Sequence, residues 1–338
     1  MKNVSVLLSF LFLTSINCPA KILRVGYSGI PLSGTDFNTF QAAHDSASVG
    51  DTINLFPGSW NVEVHKRLVI IGKGYNTEGS GSNANVQNIH GVVNLNANLY
   101  TGSDSAIFYG VGDGTIRVYY NNVVNNIKIR RCRLSIVYFN DQVCNNWEIS
   151  QSIIYSSVSY WWGGGLAVNL NISNCFINTI NFSSASLSGL SGLFTNNIFA
   201  NTNNNLQNGG FIFQNNIFTG ADMSLQNSGN CFFQNNLAES ASLLPIGNGN
   251  ANNTNMANTF IGYPIQGITS DDGRYQLKAG SPAINAGYNG ADAGMFGGIN
   301  PYKLSGIPPV PSIYKLTAPG TVANGNPYTI TVSIRSNN

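Results

Sequence analysis

Charged residues are scarce in this sequence. Of 338 residues, 16 are Lys or Arg and 14 are Asp or Glu, so the charged fraction is 9 %, against about 25 % in ordinary soluble domains. Exposed helix faces need more Glu, Lys and Arg than this, which excludes a helical bundle or coiled coil. A net charge of +2 also predicts no nucleic-acid partner, because neutralising phosphates requires many cations. The hydrophobic fraction of 43 % is sufficient for a packed core, which excludes a disordered tail.

The shortage of charge is uneven along the chain. No Lys or Arg lies between Leu134 and Gly273, a stretch of 140 residues. Asparagine is abundant instead, with 50 residues beside 37 glycines. We therefore expect a central region whose polar surface consists of amide and hydroxyl groups.

Long apolar runs are absent except at the N-terminus. Lys2 precedes an apolar run from Val4 to Leu13, and small residues stand at −3 and −1 of a cut after Ala20. This organisation predicts a secretory signal peptide and a secreted or cell-surface protein. The run is too short for a permanent transmembrane helix, and no later segment is apolar enough. Lipidation of Cys18 is the alternative.

Six similar segments recur in the middle of the chain, at steps of 20, 23, 22, 19 and 20 residues. They are 129–134, 149–154, 172–177, 194–199, 213–218 and 233–238. Units this short cannot bury an apolar face alone, so stacked units must share one continuous core. The period, the apolar strand pattern and the Asn-rich bends predict an all-β fold, a parallel β-helix solenoid. Some ten coils would extend roughly 50 Å at about 4.8 Å per coil.

Aligned positions of the repeat predict the structure of each bend. The first position is Ile or Phe and faces inward, and the third position is mostly Asn or Gln, which suits left-handed backbone. The fourth position is expected to form a ladder of side-chain hydrogen bonds between coils. Its members are Cys132, Ser152, Cys175, Asn197, Asn216 and Asn236.

The repeat also constrains the cysteines. Cys132 and Cys175 share one column two coils apart, about 9.6 Å by the strand spacing. A disulfide needs Cα atoms within about 7 Å, so we expect these two not to be bonded to each other. Cys231 lies in a core column and is predicted to act as a small buried hydrophobe.

Both ends of an open solenoid need covering. Residues 35–47 place apolar residues at helical spacing with Asp36 as the expected cap, which predicts a short N-terminal capping helix. Prolines in 307–312 indicate a stiff linker, and alternation in 328–335 predicts a small C-terminal strand pair with 313–316. This pair either caps the last coil or attaches the protein to a surface. The predicted divisions are a signal peptide (1–20), an N-terminal cap (21–50), the parallel β-helix (51–299), and a linker with the strand pair (300–338).

Motifs at both ends resemble a known family. Phe37-Asn-Thr-Phe-Gln-Ala-Ala43, followed by Gly50–Gly58 and Leu68–Gly74, resembles the opening of bacterial right-handed β-helix proteins of the pectin-lyase-like superfamily. Gly280–Gly287 and Asp292–Gly298 resemble the closing coil of exported bacterial β-helix proteins. The resemblance covers most of the mature chain and implies a right-handed parallel β-helix. It implies no single activity, because the superfamily contains lyases, hydrolases, esterases and adhesins.

A cluster of cations precedes the uncharged stretch. Lyases of the superfamily abstract a proton with Lys or Arg, and here the aligned coils offer Lys128, Arg130, Arg131 and Arg133. Lys128 and Arg130 flank a core position, and Glu148 falls in the Lys128 column one coil later, about 4.8 Å away. Three interpretations stay open, namely a solvated patch with a cross-coil ion pair, an acidic-glycan contact, and a catalytic base.

Paired carboxylates are few. Glycoside hydrolysis requires two carboxylates about 5 to 9.5 Å apart, and hydrolases of the superfamily add a Gly-His-Gly that is missing here. Asp271-Asp272 is the only adjacent pair and is predicted to form a turn, with a calcium site at either residue as the alternative. The three histidines have no metal-ligand spacing, so neither a metal site nor a cofactor is predicted.

An aromatic cluster suggests a binding surface. Residues 155–165 are predicted to leave the coil as a loop, in which Tyr160, Trp161 and Trp162 offer flat faces for stacking on a sugar ring. The alternative is that one or two of these rings fold back over the coil.

The sequence thus favours an exported, monomeric and non-catalytic β-helix that binds a glycan or cell-surface polymer. The expected binding residues are Tyr160, Trp161, Trp162, Lys128, Arg130 and Arg131. A divergent polysaccharide lyase or glycoside hydrolase, and a purely structural surface protein, are the alternatives.

Overall fold

The predicted parallel β-helix is confirmed. A computed structural model describes residues 20–26, 34–75, 93–160, 165–183, 189–200, 203–263, 270, 272–317 and 327–335. Most strands are parallel and stack as a β-solenoid of about 8 turns, and only 8 % of the described residues are helical.

Two sheets of eleven strands each form the walls. In spatial order sheet 1 contains Asp36–Phe37, Ile22–Val25, Thr52–Leu55, Val69–Ile71, Ile107–Tyr109, Lys128–Arg130, Glu148–Ser150, Leu170–Ser173, Ser191–Thr195, Gly210–Gln214 and Phe232–Gln234. Sheet 2 contains Gly58–Val64, Val93–Leu99, Gly112–Val118, Arg133–Phe139, Ile153–Tyr160, Phe176–Asn181, Ile198–Phe199, Ile217–Phe218 and Leu237–Ala238, with Asn203–Asn205 and Ser224–Gln226 beside them.

The remaining elements are short. Val143–Asn145 pairs in parallel with Leu166–Val168, and Ser312–Thr317 pairs in antiparallel with Thr331–Arg335, which confirms the C-terminal strand pair. The described α-helices are Phe40–Ser46 and Met256–Thr259, and 3-10 turns occur at Gly273–Tyr275, Tyr288–Gly290 and Leu304–Gly306.

The core is a stack of first-position side chains. Ile129, Ile149 and Ile172 are fully buried, and phenylalanines continue the column. The ring centroids of Phe194 and Phe213 lie 4.8 Å apart, a spacing that matches the interstrand distance of about 4.8 Å. Parallel stacking therefore aligns identical side chains in register.

The predicted bend chemistry is also confirmed. All six third-position residues have left-handed backbone, from Arg131 with φ 53° to Asn235 with φ 52°. The fourth-position ladder is continuous, because each backbone N–H donates to the side chain one coil later. Asn250, outside the aligned repeats, extends the ladder by accepting from the N–H of Asn236 at 3.1 Å. The asparagines thus satisfy backbone groups that would otherwise be buried and unpaired.

The capping helix differs from its prediction at the start. It begins after Thr39, whose hydroxyl accepts from the N–H of Ala42 at 3.3 Å. Asp36 is not the cap. It lies in a strand of sheet 1, where both carboxylate oxygens accept from Arg24 at 2.5 and 2.8 Å. The carboxylate completes an ion pair across neighbouring strands instead of capping the helix.

The end of the chain runs back along the solenoid. Strands of the stack end at Ala238, and residues 272–309, here called the covering segment, cross the bends between the sheets. Each third-position side chain bonds to the backbone of this segment, from Asn235 at Ala286 (3.3 Å) to Arg131 at Ile307 (3.0 Å). The intermediate contacts are made by Asn215, Asn196, Asn174 and Gln151. The part that resembles a closing coil, up to Ile299, therefore lies over four earlier bends, and residues 300–307 lie over the other two.

A second hydrophobic core lies beneath the covering segment. The fifth repeat position faces outward from sheet 2 and is apolar in five of six repeats, namely Ile153, Phe176, Ile198, Ile217 and Leu237. Phe260, Tyr275 and Met295 pack against this column and are themselves buried. The covering segment is thus attached by apolar contact as well as by hydrogen bonds.

Asp272 anchors the covering segment. It is fully buried, and its Oδ2 accepts from the hydroxyl of Tyr302 at 3.1 Å and from the N–H of Ser305 at 2.6 Å. Its Oδ1 accepts from the N–H of Gly273 at 2.9 Å, and Tyr302 in turn bonds to the Tyr75 hydroxyl. These bonds confirm the turn and use the carboxylate oxygens that a calcium site would need. Asp271 lies outside the described residues.

All four cysteines in the described chain are free thiols, so Cys132 and Cys175 are not bonded to each other. Burial raises the pKa of Cys132, Cys144 and Cys175 to about 12, which keeps them protonated at pH 8. Cys231 is half-buried, and burial raises the pKa of its thiol to about 11.

We expect iodoacetamide at about pH 8 to modify Cys231 first and the other three only after unfolding, because the thiolate is the reactive form. Mass spectrometry after timed alkylation measures the order. Rapid alkylation of Cys132 in the folded protein would contradict the structure.

Candidate functional site

A groove lies between the outer face of sheet 1 and the covering segment. Its volume is about 300 Å³, at the lower end of the range for ligand sites. The sheet contributes Tyr109, Arg130, Glu148, Ser150 and Ser173, and the covering segment contributes Asn300, Pro301, Lys303 and Pro309. The groove is therefore walled by both parts of the fold.

The strand register explains the first wall. Tyr109, Arg130, Ser150 and Ser173 occupy one outward column on four successive coils. The buried Ile129 column alternates with it along each strand, because neighbouring strand residues point to opposite faces. An extended ligand lying along the solenoid axis would meet these four side chains in turn.

An ion-pair cluster joins two lining residues of the groove, Arg130 and Glu148, to Lys128, which is not among the described lining residues. Glu148 stands opposite Lys128 as predicted, with its Oε2 3.8 Å from the Lys128 Nζ. The shorter contact is diagonal, from Arg130 Nη2 to Glu148 Oε1 at 2.6 Å. All three side chains are a third or more exposed, so these pairs contribute little stability. The charges are held together mainly by the register of the strands.

Arg130 retains unused hydrogen-bonding capacity. Its Nε is buried and has no hydrogen-bond partner among the described residues. A buried donor left unpaired costs about 1–3 kcal/mol, so a shift of the side chain that brings Nε to an acceptor in the groove would be favourable. Lys303 adds a second cation from the covering segment, and Glu148 is the only carboxylate among the described lining residues. The groove therefore has a net positive lining.

Arg131 lines the same groove in a different role. Its side chain is held by Gln151, which accepts from Nε at 3.0 Å, and by the carbonyl of Ile307, which accepts from Nη1 at 3.0 Å. The residue is 6 % exposed, and burial lowers the pKa of its guanidinium. Arg131 was predicted to be a surface cation together with Lys128 and Arg130. The left-handed backbone at this bend instead directs its side chain beneath the covering segment. It positions the wall that carries Lys303.

Tyr160 does not form part of an exposed aromatic surface. Residues 155–160 belong to the strand Ile153–Tyr160, so the predicted loop does not begin at Tyr155. The ring is buried between Phe139 and Phe182, and its hydroxyl accepts from the N–H of Ala167 at 2.7 Å. Burial also raises the pKa of its phenol. Tyr160 folds back over the coil because its ring fills the core. Trp161 and Trp162 lie outside the described residues.

Sequence reasoning found one wall of the groove and missed the other. Arg130 and Glu148 were identified from their columns, whereas Lys303 and Asn300 follow no repeat. Among the described residues no group of three or more His, Cys, Asp or Glu side chains is placed to hold a metal ion. None of the described helices has the length and apolar character needed to span a membrane.

Comparison with known proteins assigns no family. No protein-family model matches the chain, and no curated protein matches it at a significant level.

Proposed function

We propose that this protein is an exported, non-catalytic β-helix that binds an acidic glycan in the groove between sheet 1 and the covering segment. The observation that carries the proposal is Arg130, which lines a groove that Lys303 closes from the other side and whose buried Nε has no hydrogen-bond partner among the described residues. A carboxylate or sulfate on a sugar would accept from the guanidinium and offset the Lys303 charge.

The other lining groups suit a carbohydrate. Ser150, Ser173 and Asn300 supply hydroxyl and amide groups, and Tyr109 offers an aromatic ring at one end of the column. The column spans three coil steps, roughly 14 Å at about 4.8 Å per step. The groove thus takes a short stretch of a polymer lying along the solenoid axis.

The sequence provides independent support for this setting. A signal peptide in residues 1–20 would deliver the protein to the surface or medium, where polysaccharides are found. The end motifs resemble those of pectin-lyase-like proteins, many of which act on polysaccharides. These features support export and glycan binding, and they do not supply a reaction.

Replacement of Arg130 tests the proposal. We expect Arg130→Gln to weaken binding of acidic oligosaccharides about tenfold or more, the effect of losing one charge-assisted hydrogen bond. Binding should also weaken at high salt, which screens exposed charges. The measurement is a glycan array followed by titration calorimetry, with neutral oligosaccharides of the same length as comparison ligands. Arg67→Gln, at an exposed arginine outside the groove, is the matched control and should bind as the unaltered protein does.

Two results would contradict the proposal. Failure to bind any acidic oligosaccharide would favour the purely structural surface protein. Release of unsaturated sugar ends, seen by absorbance and abolished in Arg130→Gln, would identify a polysaccharide lyase instead.

A further inference from the structure

A second cavity lies between the covering segment and the outer face of sheet 2. Its volume is about 160 Å³, and its surface is mostly apolar. Arg133 and Tyr155 line it from the sheet, and Arg274, Tyr275 and Met295 line it from the covering segment. The cavity is distinct from the groove, which borders sheet 1.

The cavity forms where the outward column of sheet 2 changes character. In five of the six repeats the fifth position is apolar and packs beneath the covering segment. Arg133 occupies this position in the first repeat, and its Nη1 contacts Asp113 Oδ1 at 2.8 Å. A charged side chain with a surface partner does not fill an apolar interface, so the covering layer leaves a gap beside Ile153.

Arg274 is the cation available to a ligand. Its guanidinium lies over the Tyr275 ring at 4.6 Å, and its Nη2 donates to the Tyr275 hydroxyl at 2.8 Å. Its Nε is buried and has no hydrogen-bond partner among the described residues. Asp272 also lines the cavity, and its carboxylate accepts from Tyr302 and Ser305, whereas Asp113 is paired with Arg133.

The walls of the cavity are flat and apolar. The rings of Phe176 and Tyr275 meet at 5.0 Å between centroids, and the Arg133 guanidinium lies 5.3 Å from the Tyr155 ring centre. Ile153 and Met295 complete the apolar lining. A cavity of about 150 Å³ with such a lining is large enough to admit a benzene ring. The volume therefore suits one small ring with a substituent.

We propose that this cavity binds a small organic monocarboxylate with a flat apolar body, of about the size of benzoate. The body packs against the aromatic rings and Met295, and the carboxylate accepts from the Arg274 guanidinium. Arg133 lines the same cavity, but its guanidinium is already paired with Asp113. The site needs no contact with the glycan groove, so the two ligands should bind independently.

Benzoate is the probe and benzyl alcohol is its neutral counterpart. We expect benzoate to bind at millimolar concentration or tighter, and benzyl alcohol to bind about tenfold more weakly or not at all. Arg274→Gln should weaken benzoate binding about tenfold and leave benzyl alcohol unchanged, whereas Arg274→Lys should retain part of the binding. Arg67→Gln, outside the cavity, is the matched control. Ligand-observed NMR and titration calorimetry supply the affinities.

A measurement on the unaltered protein keeps the test independent of any misfolded variant. Benzoate should raise the melting temperature in a concentration-dependent way, because a ligand of the folded state stabilises it by mass action, and benzyl alcohol should raise it less. Equal effects of the two compounds, no benzoate binding, or unchanged benzoate affinity in a folded Arg274→Gln variant would each overturn the proposal.

Discussion

Asn216→Leu is expected to lower the free energy of unfolding by about 3–5 kcal/mol, a large effect for one side chain. The amide is fully buried in the middle of the ladder. Its oxygen accepts from the N–H of Asn197 at 2.8 Å, and its Nδ2 donates to the carbonyl of Phe194 at 2.8 Å. Leucine has the same number and branching of side-chain heavy atoms, but its methyl groups leave the Asn197 N–H and the Phe194 carbonyl without their partner. Urea or thermal unfolding measures the loss.

The matched control is Asn61→Leu. Asn61 is exposed on sheet 2, and its side chain accepts from Asn96 at the surface. Loss of this bond should change stability by no more than about 0.5 kcal/mol. Equal destabilisation by the two variants would mean that the ladder adds nothing beyond an ordinary surface amide.

Asp272→Ala is expected to destabilise the covering segment by about 3 kcal/mol. The change leaves the buried Tyr302 hydroxyl and Ser305 N–H without their acceptor, and each unpaired group costs about 1–3 kcal/mol. The segment carries Lys303, which then becomes accessible to trypsin. Limited proteolysis with mass spectrometry should show faster cleavage after Lys303, and acidic oligosaccharides should bind more weakly because one wall of the groove is loosened.

Asp222→Ala provides the comparison. Asp222 is exposed, and among the described residues no hydrogen bond or ion pair joins it to the covering segment, so its loss should leave trypsin cleavage unchanged. Unchanged cleavage after Lys303 in Asp272→Ala would show that the apolar contacts alone hold the segment in place.

The solenoid could be predicted because equivalent residues make the same contacts in each successive coil. Hydrogen bonding between parallel strands places equivalent residues on top of one another, so a column of Asn or Phe in the aligned sequence is a column in space. The left-handed bends at Arg131 and Asn235 and the ladder through Asn216 follow directly from this rule. Arg130 and Glu148 were brought together by the same reasoning.

The covering segment could not be predicted in the same way. It has no repeat, and most of its hydrogen bonds to the bends use its own backbone groups. Such bonds cannot be predicted from residue types, because almost every residue has the same backbone groups. One signal was available: Phe176, Ile198 and Ile217 stand at outward positions, where an uncovered strand would carry polar residues. That apolar column predicts a covering layer, although it does not say which residues supply it. The position of Lys303, and with it the second wall of the groove, could therefore not be predicted from the sequence.

The row of bonds between the bends and the covering segment has a consequence for the length of the rod. Solenoids ordinarily gain or lose units by duplication, since each unit contacts only its neighbours. Here the covering segment has a fixed length and is hydrogen-bonded to six bends in turn, from Asn235 to Arg131. A duplicated unit would shift every later bend relative to its hydrogen-bonding partner in the covering segment. It would also leave one apolar outward residue exposed to water. The length of the covering segment thus limits the number of coils that the solenoid can have.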